Sequence, residues 1–178
     1  SRNFTNLFIA PLKLKEIIVA LIFTALIRTL IGLVPAIILT SPLFGVSILE
    51  LGFPLLLLFL SLYIFGITLG LFVSAGLIRF GPSFENIAWS SLFLLAPLGC
   101  IYYPIEILPN FFQLIAKGLP LVYIFDETRN ILINGIVNYE NLKHAYFLNL
   151  VYLTLGICLF YLSFLKARIK GTLINMGE

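Results

Sequence analysis

The chain has 178 residues, of which 61% are hydrophobic and only 11% are charged. Soluble domains carry about 25% charged residues, so these side chains cannot clothe a water-facing surface, and lipid is the solvent they fit. The formal net charge of +3 is too small and too scattered for nucleic-acid binding; it fits a membrane protein whose cations gather on one side.

The chain opens on Ser1-Arg2-Asn3, and its one methionine is Met176. No pattern of charged, apolar and cleavage regions marks a signal peptide. Residues 1–16 read as an internal cytoplasmic segment, and the chain as a fragment. Ile17 to Thr40 is the first apolar run, about 24 residues, enough to cross about 30 Å of hydrocarbon as a helix. Arg28 sits halfway along it, where a cation costs roughly 2.5–3.5 kcal/mol. Either it faces a polar pathway or an anionic group, or it pairs inside the bundle or snorkels to the headgroups; the weight falls on the second.

Pro42 and Gly45 mark a turn. Leu51 to Ile78 is the second run, longer than a span needs and therefore tilted or extended beyond the bilayer. Within it Gly66, Gly70 and Ser74 fall four apart, the small-residue spacing that lets helices approach closely. It reads first as packing within one subunit, and second as part of a dimer interface. A short polar turn covers residues 79–86. Ile87 to Tyr103 is the third span, with Trp89, Tyr102 and Tyr103 as interface anchors near its ends. Tyr146 to Leu165 is the fourth. Cys100 and Cys158 lie inside apolar runs and read as small packing residues.

Orientation follows from the cations. Alternating crossings put residues 1–16, the 79–86 turn and the C-terminal tail on one side, with Arg2, Lys13, Lys15, Arg79, Lys166, Arg168 and Lys170. The other side holds Lys117, Arg129 and Lys143. The richer side is the cytoplasmic one, which leaves residues 104–134 outside.

That outer segment breaks the apolar pattern. Pro109 fits the first turn of a short helix that ends at Gly118, and Pro120 starts a second helix carrying Tyr123, Asp126, Glu127 and Arg129. Two helices joined at a Gly-x-Pro break make a re-entrant or interfacial hairpin, whose irregular backbone must be buried in protein or line a cavity. Its apolar faces are expected to bury against the third and fourth spans, with its charged turn at the water boundary. Asp126 and Arg129 are spaced to meet on one helix face, as are Asp126 and Asn130; Glu127 points toward a neighbouring helix.

The stretch LAPLGCIYYPIEILPNFFQLIAKGLPLVYIFDETR resembles the signature region of ABC-2 type transporter permeases. The resemblance is carried by Pro97, Gly99, Tyr103, Pro104, Leu108, Pro109, Ala116, Pro120, Leu121, Tyr123, Glu127 and Arg129. The start of the chain is similar to that family's cytoplasmic coupling segment through Arg2, Thr5, Leu7 and Pro11, with Phe8 and Lys13 beside them, although Asn3 and Phe4 stand where an acidic residue and a glycine are common. The resemblance implies an all-α polytopic bundle, one permease domain over residues 1–178, with an elbow helix and two spans preceding it. It also implies dimerisation with a like or unlike second permease, a separate ATP-binding partner that makes contact through residues 1–16, and export from the cytoplasm, or movement toward the outer leaflet, in a bacterial-type inner membrane. The charged turn of the hairpin itself reads either as stabilising the hairpin or, more sharply, as lining an outer gate.

No phosphate-cradling G-x-x-x-x-G-K-[ST] loop occurs in the chain, so no cofactor is expected on it and ATP would be bound by the partner. His144, the one histidine, has no ligand or base at catalytic spacing. Two other readings stay open. A secondary transporter or channel would need ionisable residues in several spans, and Arg28 alone qualifies. A membrane assembly protein would lack an ATPase partner.

Overall fold

The computed structural model describes residues 14–45, 49 and 52–170. Every long regular element among them is helical. Three helices are long and apolar enough to cross a membrane, over Ile22–Leu43, Phe53–Phe80 and Tyr139–Ile169. Two compact units divide after residue 50.

The first unit holds α1, Leu14–Phe44. The helix runs through Pro35 and Pro42, past the turn that Pro42 suggested, and stops at Gly45, whose left-handed φ of 68° ends it. The hydroxyls of Thr24, Thr29 and Thr40 each donate to a carbonyl four residues back, at 2.7, 2.8 and 2.7 Å. A polar group in an apolar helix satisfies itself this way without a partner. Arg28 is exposed.

The second unit contains α2 (Phe53–Phe80), α3 (Phe84–Leu98), a 3₁₀ turn (Ile105–Ile107), α4 (Asn110–Ala116), α5 (Pro120–Asn134) and α6 (Tyr139–Lys170). Its main seam joins α2 to α6. Tyr146 Oη donates to Leu57 O at 2.8 Å, and Asn149 Nδ2 donates to Ser61 O and Ser61 Oγ at 2.9 and 2.8 Å. Further along, Phe65 meets the Tyr152 ring edge-on, and Gly156 lies against Leu71. Both numbers rise together, so α2 and α6 run parallel.

Parallel neighbours need a connection that travels back along them, and α3 begins that return. Its first residue, Phe84, lies against Gly76 so closely that α2 has no room there for a Cβ. The third apolar run does not form a helix over the expected Ile87 to Tyr103. α3 stops at Leu98 after 15 residues, about 22 Å at 1.5 Å per residue. Cys100 then turns the backbone at a φ of 53°, a region that costs a side-chain-bearing residue about 1–2 kcal/mol.

Other expectations change at the surface. Gly66 and Gly70 are exposed, with open space where a Cβ would stand, so they do not pack within this unit. Cys100 is fully buried, whereas Cys158 is exposed. Phe111, Phe112, Leu114 and Ile115 of α4 are also exposed. A seven-residue helix turns only one narrow face inward, and Ala116 occupies it.

Asn149 is 1% exposed, and its Oδ1 has no partner. Interhelical hydrogen bonds in membranes contribute about 0.6 kcal/mol on average and about 1.7 at most. Asn149→Leu is therefore expected to cost about 1 kcal/mol or less, because the lost bonds to Ser61 are offset by relief of the unpaired oxygen. Thermal unfolding in lipid nanodiscs measures it, and a loss of several kcal/mol would contradict this account of the seam.

Candidate functional site

The segment from Gly99 to Asn141 is where backbone irregularity, buried polar groups and charge coincide. Gly99 is buried, and a Cβ added to it would lie 2.8 Å from Leu121 Cδ1 and 2.9 Å from Leu95 O. The backbone of α3 therefore meets α5 at glycine contact distance. Arg129 Nη1 of α5 donates to Cys100 O at 2.9 Å. Two contacts from α5 thus fix the strained end of α3. Cys100 is fully buried and acts as a packing group. Cys100 centres a small core with Ala116 and Val122, against which Tyr103, Ile105, Leu108 and Leu119 pack.

The two prolines upstream have matching roles. Pro104 and Pro109 are extended, with ψ of 156° and 147°, and each immediately precedes a helical turn. Tyr103 folds back on α3, donating to Pro97 O at 2.8 Å. Gln113 Nε2 closes the start of α4 onto Leu108 O at 2.7 Å.

The break between α4 and α5 is capped by two tyrosines. Tyr123 Oη donates to Lys117 O at 3.0 Å, and Tyr152 Oη donates to Gly118 O at 2.9 Å. These carbonyls at the end of α4 have no successor N–H, and a bilayer would supply no water to them. Tyr152 lies thirteen residues into α6, about 20 Å along its axis. α5 packs on α6, starting at Pro120 and ending at Gly135, where a left-handed φ of 67° forms its cap. Tyr123 also stacks on His144, with ring centroids 5.5 Å apart.

The charged turn differs from expectation in two respects. Glu127 does not sit at a water boundary: it is 0% exposed. It reaches α6, as its position on the helix suggested, and accepts from Asn138 N at 2.6 Å and Asn141 Nδ2 at 3.2 Å. Asp126 and Arg129 do approach, but only to 4.0 Å, a pair worth about 0–1 kcal/mol. Asn130 turns away from Asp126 and bonds Ile136 O at 3.1 Å.

Of the residues singled out in the sequence, Tyr103, Pro104, Pro109, Gly118, Pro120, Tyr123, Asp126, Glu127 and Arg129 fall in this one region. Arg28 lies in the other unit, and Gly66, Gly70 and Ser74 lie along α2. Arg2, Thr5, Leu7, Phe8, Pro11 and Lys13 lie outside the described residues. Sequence reasoning missed Asn138, Asn141, Tyr146, Asn149 and Tyr152. A signal for the last three was present: Tyr146, Asn149 and Tyr152 recur every three residues, which puts polar groups on one side of an otherwise apolar helix. Among the described residues, no three His, Cys, Asp or Glu side chains gather as a metal site.

A family model described as ABC-2 type transporter matches residues 1–133. No curated protein and no solved structure matches the chain.

Proposed function

The chain belongs to the ABC-2 type transporter family, and from that premise we propose that it is a membrane-spanning permease component of an ABC exporter. In this reading it works as a dimer, lines the pathway, and takes its energy from a separate ATP-hydrolysing partner that docks on residues 1–16. The match over residues 1–133 carries the proposal.

The geometry favours particular parts of it. α2 and α6 run parallel, so the chain between them must recross, and α3 followed by the Gly99–Tyr103 turn is the return path. That gives four crossings, with residues 79–86 and the C-terminal tail on the cytoplasmic side. α5 is the inner leg of a re-entrant hairpin that closes the outer end of the pathway. The tie from Tyr152 to Gly118 supports this, because it holds the break about 20 Å along α6. The exposed apolar residues of α4, such as Phe111 and Leu114, then face lipid. Arg28 snorkels or is neutralised by a partner outside the described residues.

The test uses the full-length protein in its own membrane. An ATPase subunit is expected to co-purify with it and to be lost in Leu7→Asp. With Cys158 replaced by serine, a cysteine at Ser83 is expected to react with an impermeant reagent from the cytoplasmic side and one at Asn138 only from outside. Absence of any ATPase would remove the exporter reading, and labelling of both positions from one side would remove the recrossing by α3.

A further inference from the structure

The parallel helices α2 and α6 end at the same level, and cations gather at that shared end. The bonds from Tyr146 to Leu57 and from Asn149 to Ser61 set a register of 89 and 88 residues between the two helices. At that spacing Arg79 of α2 stands level with Ala167 of α6. Both continue the seam. Leu58, Ser61, Phe65, Thr68 and Ala75 recur along the buried side of α2, and Arg79 lies four residues beyond Ala75 on that side. Ala167 is buried on α6, and Lys166 and Arg168 flank it, each about 100° around the helix. Arg79, Lys166 and Arg168 are all exposed.

The charge at this end does not balance. Among the described residues the two ion pairs, Arg129–Asp126 and Lys143–Glu140, involve none of these three cations. The carboxylate nearest to them in sequence is Glu85, in the first turn of α3. Each helix C-terminus contributes about half a negative charge, so the two ends offset about one cation, and Glu85 offsets another. About one positive charge is left over. It sits at the depth where both apolar spans end, at Phe80 and Ile169. Both of these side chains are exposed. Arg79 Cζ lies 5.5 Å from the Phe80 ring centroid, and Phe80 stacks on Phe84. Exposed apolar surface therefore borders the cations.

We propose that the shared end of α2 and α6 binds the headgroup of an anionic phospholipid. One phosphodiester carries the single negative charge that this end lacks. Its oxygens accept from Arg79 and from Lys166 or Arg168, and its acyl chains lie against Phe80 and Ile169. A zwitterionic headgroup adds a second cation to a place that is already positive, and this sets the selectivity. The lipid is a resident of the rim and not cargo. The site stands independently of export, of the ATPase partner and of which leaflet this end faces.

The test uses full-length protein in nanodiscs of phosphatidylcholine with a minority of phosphatidylglycerol, and native mass spectrometry counts the lipids retained as the disc is stripped away. Phosphatidylglycerol is expected to be enriched about fivefold over its share of the disc, as about one uncompensated cation supplies. The enrichment should fall as salt is raised, because exposed charges are screened. Arg79→Gln combined with Lys166→Gln and Arg168→Gln is expected to abolish it. Arg79→Lys with Arg168→Lys, which keeps every charge, should keep most of it. Lys117→Gln with Lys143→Gln, which removes two exposed cations elsewhere on the fold, should leave it unchanged. Absence of enrichment in the wild type overturns the site. So does enrichment that survives in the triple variant or in high salt, or that falls equally in the Lys117 and Lys143 pair.

Discussion

Glu127→Ala is expected to lower stability by about 2–3 kcal/mol, a fall of roughly 5–10 °C in unfolding midpoint for a chain of this size. The carboxylate is wholly buried, and its oxygens hold Asn138 N and Asn141 Nδ2 across the corner between α5 and α6. Alanine leaves both donors unpaired and opens a cavity. Glu127→Gln is expected to cost less than half as much. Its oxygen still accepts from Asn138 N, and Asn141 can rotate its amide to offer the oxygen instead. Cys100 is buried in the native state, so with Cys158 replaced by serine its reaction with a thiol dye reports unfolding. Equal midpoints for wild type and Glu127→Ala would mean that the corner is held by something other than this side chain.

Gly99→Ala is expected to cost about 1–3 kcal/mol by overpacking. The new methyl meets Leu121 Cδ1 at 2.8 Å and Leu95 O at 2.9 Å. The leucine is the end of a flexible side chain, but the carbonyl belongs to the last turn of α3 and cannot withdraw without loosening it. Leu121→Ala in the same chain should therefore recover part of the loss and not all of it. The two changes should be non-additive by about 1 kcal/mol in a double-mutant cycle, as befits residues in contact. Strict additivity in the same thiol assay would show that α3 and α5 do not meet at Gly99.

Where the chain's own chemistry marked an element, the sequence read it well. Pro120 opens α5 in its first turn, where a missing N–H costs nothing, and the polar turn at residues 79–86 does separate α2 from α3. Helix ends inside apolar stretches were illegible for a physical reason. Hydropathy reports the solvent around a side chain and not the conformation of its backbone. Thus the run from Ile87 to Tyr103 stayed apolar across Gly99 and Cys100, where α3 has already stopped. The same cause hid the start of α6: it begins at Tyr139, seven residues before the apolar run, because the Asn138 side chain bonds Glu140 N at 3.0 Å and starts a helix in polar sequence. The burial of Glu127 was unreadable because its partners lie eleven and fourteen residues away, beyond any local pattern.

The parallel pairing of α2 and α6 also bears on the order in which the chain is made. Roughly 60 residues separate the end of α2 from the start of α6, which at about 5–20 residues per second means several seconds of synthesis. During that interval the N-terminal half of α2 has been threaded into lipid while its chief neighbour is still unmade. Ser61, buried with its hydroxyl against Asn149 in the finished fold, must pass this time facing acyl chains or the insertion machinery. A ribosome stalled before Tyr139 therefore leaves a half-made chain whose sticky helix flank lacks its mate, a form suited to recognition by membrane proteases.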